Sequence, residues 1–366
     1  MDQRIHDHAE VLVDWSARIE AGDDVVVRVD DGAHDLAVAV AEKLGERGAN
    51  YLATYVSDEV ESAFVRSHDG DFDQDPDFET AMLERADSVL SLRGKSNAAE
   101  KAAAPGEKRA AYKQSRTEIK ARRMDTDWVS TIHPTRAHAQ QAGMGIGEYR
   151  DFVYDAVLRD WESLADEMAN MKEILDEGSE VRLVKEDTDL TMSIENRTAV
   201  NSAASVAYDS HNLPSGEVFT APEDPEGEVY FDVPMTHDGA RIRDVHLTFE
   251  DGEVVDWSAE VGEAALEDIL TTDEGARRLG ELGIGMNRGI DRFTDSILFD
   301  EKMGDTVHLA VGRAYGSCLP EGEDGNQSAV HVDMITDVSE DSRMEVDGEV
   351  IQRNGRFRWE DGFEQE

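Results

Sequence analysis

Three residues near the C-terminal end of the chain have the types and spacing to do chemistry: His308, His331 and Asp333. They stand in the stretch 299–337, which reads as two short strands joined by a loop with Gly, Ser and Pro, hence a hairpin or two neighbouring strands. Side chains alternate faces along a strand. Val307, Leu309 and Val311 therefore share one face, and His308 shares the other with the small residues Thr306 and Ala310. By the same rule His331 and Asp333 point together, opposite Val330, Val332 and Met334. Two imidazoles and a carboxylate leaving apolar strands are costly to bury unless they are paired or hold a metal ion. Two further carboxylates are candidates on weaker grounds. Glu217 follows the turn Leu213-Pro214-Ser215-Gly216 and opens the run Val218-Phe219-Thr220. Glu281 lies in the glycine-rich segment 277–285, where the backbone can come close to whatever the carboxylate faces. Spacing alone places neither beside His308.

The elements that must position these groups fall into two textures. From the N-terminus, helical spacing over residues 4–20 leads to a buried strand at 24–29, a helix at 34–47 closed by Gly48, and a strand at 50–56. A helix at 77–85, a strand at 88–92, a polar helical run at 98–122 and a strand at 127–132 follow. Strand, helix, strand implies a parallel sheet, so residues 1–178 are expected to form an α/β domain. A long amphipathic helix at 149–175 could belong to either domain. Beyond it come short strands near 180–185, 189–194, 228–233, 245–250 and 254–259, with a helix at 260–270. Residues 179–366 thus read as an α+β domain with a mainly antiparallel sheet. Gly143-Met144-Gly145-Ile146-Gly147 lacks the preceding strand and the spacing of a dinucleotide loop and reads as a turn. His133 and His138 beside it read as loop packing.

The chain has 366 residues with 36 basic and 82 acidic side chains, a formal charge of −46. Such a charge repels phosphate backbones and anionic lipid, so no nucleic-acid or membrane partner is expected. With 39% hydrophobic residues the acidity does not signal disorder; it reads as a solvated acidic surface suited to a high-salt cytoplasm. The start of the chain lacks a basic, apolar leader, which predicts a soluble, cytoplasmic protein. Cys318 is the sole cysteine, has no evident activating partner and reads as a packed bystander.

Four blocks, NLPSGEVFTAP, GARRLGELGIGMN, FDEKMGDTVHLAVGRAY and SAVHVDMI, resemble in order the motifs of the thermophilic-type aminopeptidases, the aminopeptidase T and S family. The resemblance covers most of the chain from Asn212 onward, with departures at Asp305 and Val332. It implies an aminopeptidase with two cocatalytic metal ions, held by Glu217, Glu281, His308, His331 and Asp333. It also implies an active-site tyrosine at Tyr315, peptide substrates, and a homodimer with a secluded site. Imidazole and carboxylate ligands without thiolates suit Zn²⁺, Co²⁺ or Mn²⁺. Tyr315 lies seven residues beyond His308, so in an unbroken strand it would face away, unless Gly312 ends the strand. Glu301, beside Lys302, is a candidate general base along with the ligand carboxylates; a surface ion pair is the plain alternative. The rival readings are another two-metal hydrolase (an amidase or phosphoesterase) and a non-catalytic metal- or peptide-binding protein of the same fold.

Overall fold

A computed structural model of the chain describes residues 2–69, 71–72, 76–97 and 104–364. Two compact units emerge, Met1–Arg159 with Ala204–Pro214, and Asp160–Ala203 with Ser215–Glu366. In the first, strands β1 (Asp24–Asp30), β2 (Asn50–Val56), β3 (Ser88–Arg93) and β4 (Asp127–Ile132) form a parallel sheet in the order β2-β1-β3-β4. The short strand Asn212–Leu213 extends it beside β4, also parallel. Val25, Val26, Val27 and Val29 are all buried, a near-continuous apolar run interrupted by Arg28, as expected of a parallel strand covered on both faces. The helix His34–Arg47 stops at Gly48, whose φ of 77° only glycine adopts cheaply. The helix Asp58–Ser67 was not anticipated, although its first turn carries Asp58, Glu59 and Glu61, the charge bias that favours a helix N-terminus. The polar run 98–122 begins outside the described residues; its remainder forms two helices, Gly106–Ser115 and Thr117–Met124.

One buried polar contact in this unit has a consequence for stability. The Thr131 hydroxyl donates to the Leu213 carbonyl at 2.8 Å, so it accepts from His8 Nε2–H at 2.7 Å. His8 is then neutral, and its Nδ1 is buried without a partner. Burial, helped by nearby His133, pushes His8 down to about 3, and burial pushes His133 down to about 4. The unfolded chain therefore takes up these protons first as pH falls below about 6.5, and stability drops between that pH and about 4. In urea titrations, His8→Asn should flatten the fall of unfolding free energy over this window by about 1.4 kcal/mol per pH unit. An unchanged slope would show that His8 is protonated in the native state.

The second unit contains two sheets. A nine-stranded antiparallel sheet runs from the hairpin strands Ala240–Glu250 and Glu253–Val261 through Glu180–Lys185 to the C-terminal strands Arg343–Val346 and Glu349–Arg353. The other holds the candidate residues. It comprises β5 (Val200–Ser202), β6 (Glu217–Thr220), β7 (Leu279–Gly285), β8 (Thr306–Gly312) and β9 (His331–Asp337), antiparallel in the order β9-β8-β7-β6-β5. Helix Trp161–Glu177 covers one face, where Asn201 Nδ2 donates to the Ala165 carbonyl at 2.9 Å. Lys185 fastens the end of β9 to the larger sheet, donating to Asp232, Thr336 and the Asp337 carbonyl at 2.6–3.1 Å.

The helix read over 149–175 is two helices, Ile146–Val157 and Trp161–Glu177. Asp160 makes the break by accepting from Ser163 N at 3.1 Å, an N-cap. The compact units part there, at 159/160, rather than at 178, and a short return segment, Ala204–Pro214, belongs to the first unit. No helix among the described residues is long and apolar enough to cross a membrane.

Candidate metal centre

Register explains how the distant candidates meet. Residues directly opposite one another in a ladder lie on the same face. His308 is opposite Gly283 and Ile335, Ala310 opposite Glu281 and Asp333, Gly312 opposite His331, and Gly285 opposite Glu217. One face of the sheet therefore presents Glu217, Glu281, His308, His331 and Asp333, separated by glycine and alanine. Small residues are required in that space. A Cβ at Gly283 would fall 2.0 Å from His308 Nε2, because the imidazole lies across that glycine. Gly283→Ala must displace the ring while leaving the strand intact. It is expected to lower kcat/KM by at least about 100-fold and to weaken metal uptake, with an unchanged circular-dichroism spectrum. Wild-type turnover in this variant would show that the His308 position does not matter.

The distances are short. His308 Nε2 lies 3.3 Å from Glu281 Oε1 and 3.7 Å from Glu217 Oε2. His331 Nε2 lies 3.2 Å from Glu281 Oε2 and 3.5 Å from Asp333 Oδ1. Glu217, Glu281 and His308 are buried, and His331 and Asp333 nearly so. His331 Nδ1 is 2.7 Å from the Arg313 carbonyl, which can only accept, so Nδ1 carries a hydrogen and Nε2 is the nitrogen that faces the carboxylates. That orientation is the one a metal-ligating imidazole takes.

Glu301 and Lys302 complete the pocket. The pair is not on the surface: Lys302 is 1% exposed, and its Nζ lies 3.2 Å from Glu217 Oε1 while also hydrogen-bonding Glu301 Oε1. The short helix Ile297–Asp300 delivers them. Asp300 braces that turn by accepting from Thr294 N, Thr294 Oγ1 and Ser296 N at 2.7–2.9 Å. Tyr315 reaches the cluster because Gly312, at φ 104°, ends β8 and turns the chain; a Cβ there would strike the Val330 carbonyl at 2.2 Å. The Tyr315 ring then packs on His331, centroids 4.7 Å apart, and on Phe219 at 5.8 Å. Cys318 is buried, as expected of a bystander.

Four carboxylates face one lysine here, and their electrostatics show a demand for positive charge. Burial opposes protonation of both histidines, yet Glu281, Glu217 and Asp333 draw His308 up to about 9, and Asp333 and Glu281 draw His331 up to about 10. Burial raises the Glu217 carboxyl against the pull of Lys302 and His308. Burial also pushes Glu301 up, to about 8, and raises the Tyr315 phenol. Burial works against ionisation of Asp333 too, but His331 and His308 overcome it and hold that carboxyl low. Glu217 Oε2 and His308 Nδ1 are buried with no hydrogen-bond partner. Two triads, Glu217-Glu281-His308 and Glu281-His331-Asp333, each offer ligand atoms within 4.8 Å of one another. The donor set, the unpartnered carboxylate oxygen and the cluster-facing Nε2 of His331 all fit divalent cations.

An α/β unit joined to an α+β unit that carries this buried carboxylate–imidazole cluster defines a metal-dependent hydrolase. The chain belongs to the thermophilic metalloprotease family, M29, whose family profile matches residues 1–357; it is a metallopeptidase, a hydrolase of peptide bonds. It is 26% identical to aminopeptidase PepS of Streptococcus thermophilus over 396 aligned positions, covering 94% of each chain. To aminopeptidase T of Thermus thermophilus it is 40% identical over 149 residues, 37% of this chain and 36% of that protein. The solved structure of wild-type AmpT from Thermus thermophilus superposes with a TM-score of 0.82 at 24% identity, covering 97% of this chain and 99% of that one, so the fold is shared.

Proposed function

We propose that this metallopeptidase is an aminopeptidase that removes N-terminal residues from short peptides, with two divalent ions (Zn²⁺, Co²⁺ or Mn²⁺) held by Glu217, Glu281, His308, His331 and Asp333. The observation that carries the two-ion reading is the position of Glu281, which gives one oxygen to each histidine and so belongs to both triads. When bound, such a pair lowers the pKa of water and polarises the scissile carbonyl. The residues of the chain do the rest. Glu301, close to the cluster but outside both triads, accepts the proton as the nucleophile forms and returns it to the leaving amine. Tyr315 donates its phenolic hydrogen to the developing oxyanion. Lys302 holds one oxygen of Glu217 so that the other faces the cluster. The carboxylate excess favours an N-terminal ammonium. The charge of −46 supports a high-salt cytoplasm as the working environment, and the family resemblance supports a homodimer.

Metal analysis of the purified protein tests this reading. Two equivalents per chain are expected. In molar salt, hydrolysis of aminoacyl-anilides should vanish on chelation and return with Zn²⁺, Mn²⁺ or Co²⁺. Turnover of phosphate esters in preference to anilides, or metal uptake without turnover of either, would overturn it.

A further inference from the structure

Beyond the edge strand β9 the cluster opens into a cavity of about 220 Å³, with His331 and Asp333 in its wall. We infer that this cavity is the subsite for the side chain of the substrate's N-terminal residue, and that it selects a large uncharged side chain. The inference rests on the aminopeptidase reading above and extends it to specificity.

Much of the wall is apolar. Met235, Phe293, Ile297 and Val332 are among the residues that line it, together with the polar Thr236 and His237. Ile297 is 51% exposed, a large aliphatic group left uncovered within reach of a polar cluster. The acidic groups in the same wall already have partners. Asp295 pairs with Arg241 at 3.3 Å, and Asp300 spends both oxygens on Thr294 and Ser296. His237 lies 3.8 Å from Asp238, so most of what these groups leave for a ligand is hydrocarbon. The volume suits one leucine- to phenylalanine-sized side chain, the scale on which hydrophobic pockets discriminate, each methylene contributing about 1–3 kcal/mol. Position points to the N-terminal side chain. The cavity adjoins Asp333 and, through it, the carboxylate-rich cluster, which favours an α-ammonium, and the side chain next to that ammonium is the N-terminal residue's own.

The test uses the metal-loaded full-length protein and dipeptides that separate the two subsites, Leu-Ala and Phe-Ala against Ala-Ala and Ala-Leu. Wild type is expected to prefer Leu-Ala and Phe-Ala over Ala-Ala by at least tenfold in kcat/KM. Filling the cavity with Ile297→Trp should reduce that ratio at least tenfold, and Met235→Trp, at another lining position, should do the same. Val255→Trp, at an exposed position away from the cavity, should leave the ratio alone. An unchanged ratio in both cavity variants, or an effect confined to Ala-Leu, would overturn the assignment while leaving the aminopeptidase reading intact. Failure of wild type to cleave any free-amino dipeptide would overturn the aminopeptidase reading, and this inference with it.

Discussion

Glu281→Ala should release both metal ions together and lower kcat/KM by about 10⁴-fold, the rate equivalent of about 5.5 kcal/mol. The expectation follows from the shared carboxylate. Glu281 Oε1 faces His308 and Oε2 faces His331, so its loss takes a ligand from each triad. Asp333→Asn is the informative contrast. Asp333 belongs to one triad only, and this variant should keep about one equivalent of metal while losing most activity. Metal stoichiometry on the two variants, with near-ultraviolet spectra to confirm folding, distinguishes the cases. Two equivalents retained by Glu281→Ala would remove the bridging role. Equal loss in both variants would mean that the ions bind as a single cooperative unit, whatever the count of ligands each receives.

The sequence made some of this site legible and concealed the rest, for physical reasons. His308, His331 and Asp333 could be placed on common strand faces because a period of two is a local property; β8 occurs as read, and β9 begins at His331 and runs on to Asp337 rather than covering 329–334. Their approach to Glu217 and Glu281 is not local. It depends on the registers of β6, β7 and β8, including an irregularity between Leu279 and Glu281, and no spacing along the chain encodes those pairings. Local sequence offered the two glutamates only as weak candidates, and the block resemblance to a known family put them in one ligand set. The seven-residue offset of Tyr315 was resolved by the left-handed conformation of Gly312, a signal that the glycine itself offered. The parallel sheet was legible for the opposite reason, since a buried strand such as β1 is a near-continuous apolar run. The broken helix was missed because amphipathic spacing runs through Asp160, although an Asp directly before Trp161 is itself a usable N-cap signal.

Lys302 is the residue that sequence reasoning undervalued, since a lysine beside a glutamate in an acidic chain reads as an exposed pair of small consequence. An exposed pair would contribute about 0–1 kcal/mol. Lys302 is instead buried between Glu217 and Glu301, and removing one partner of a buried ion pair costs roughly 3–5 kcal/mol because the remaining charge has no compensation. Lys302→Met keeps the length and apolar stem of the side chain and deletes only the charge. In the chelated protein it should lower the free energy of unfolding in urea by that amount. A divalent ion beside Glu217 supplies positive charge to the same carboxylate, so saturating metal should recover much of the loss. The variant should also bind metal more weakly, because Glu217 is then free to turn away from the cluster. A deficit under about 1 kcal/mol, the same with and without metal, would return Lys302 to the role of an ordinary surface lysine. A deficit that shrinks with metal would establish that the lysine and the ions share one task, keeping four carboxylates together in a space that excludes water.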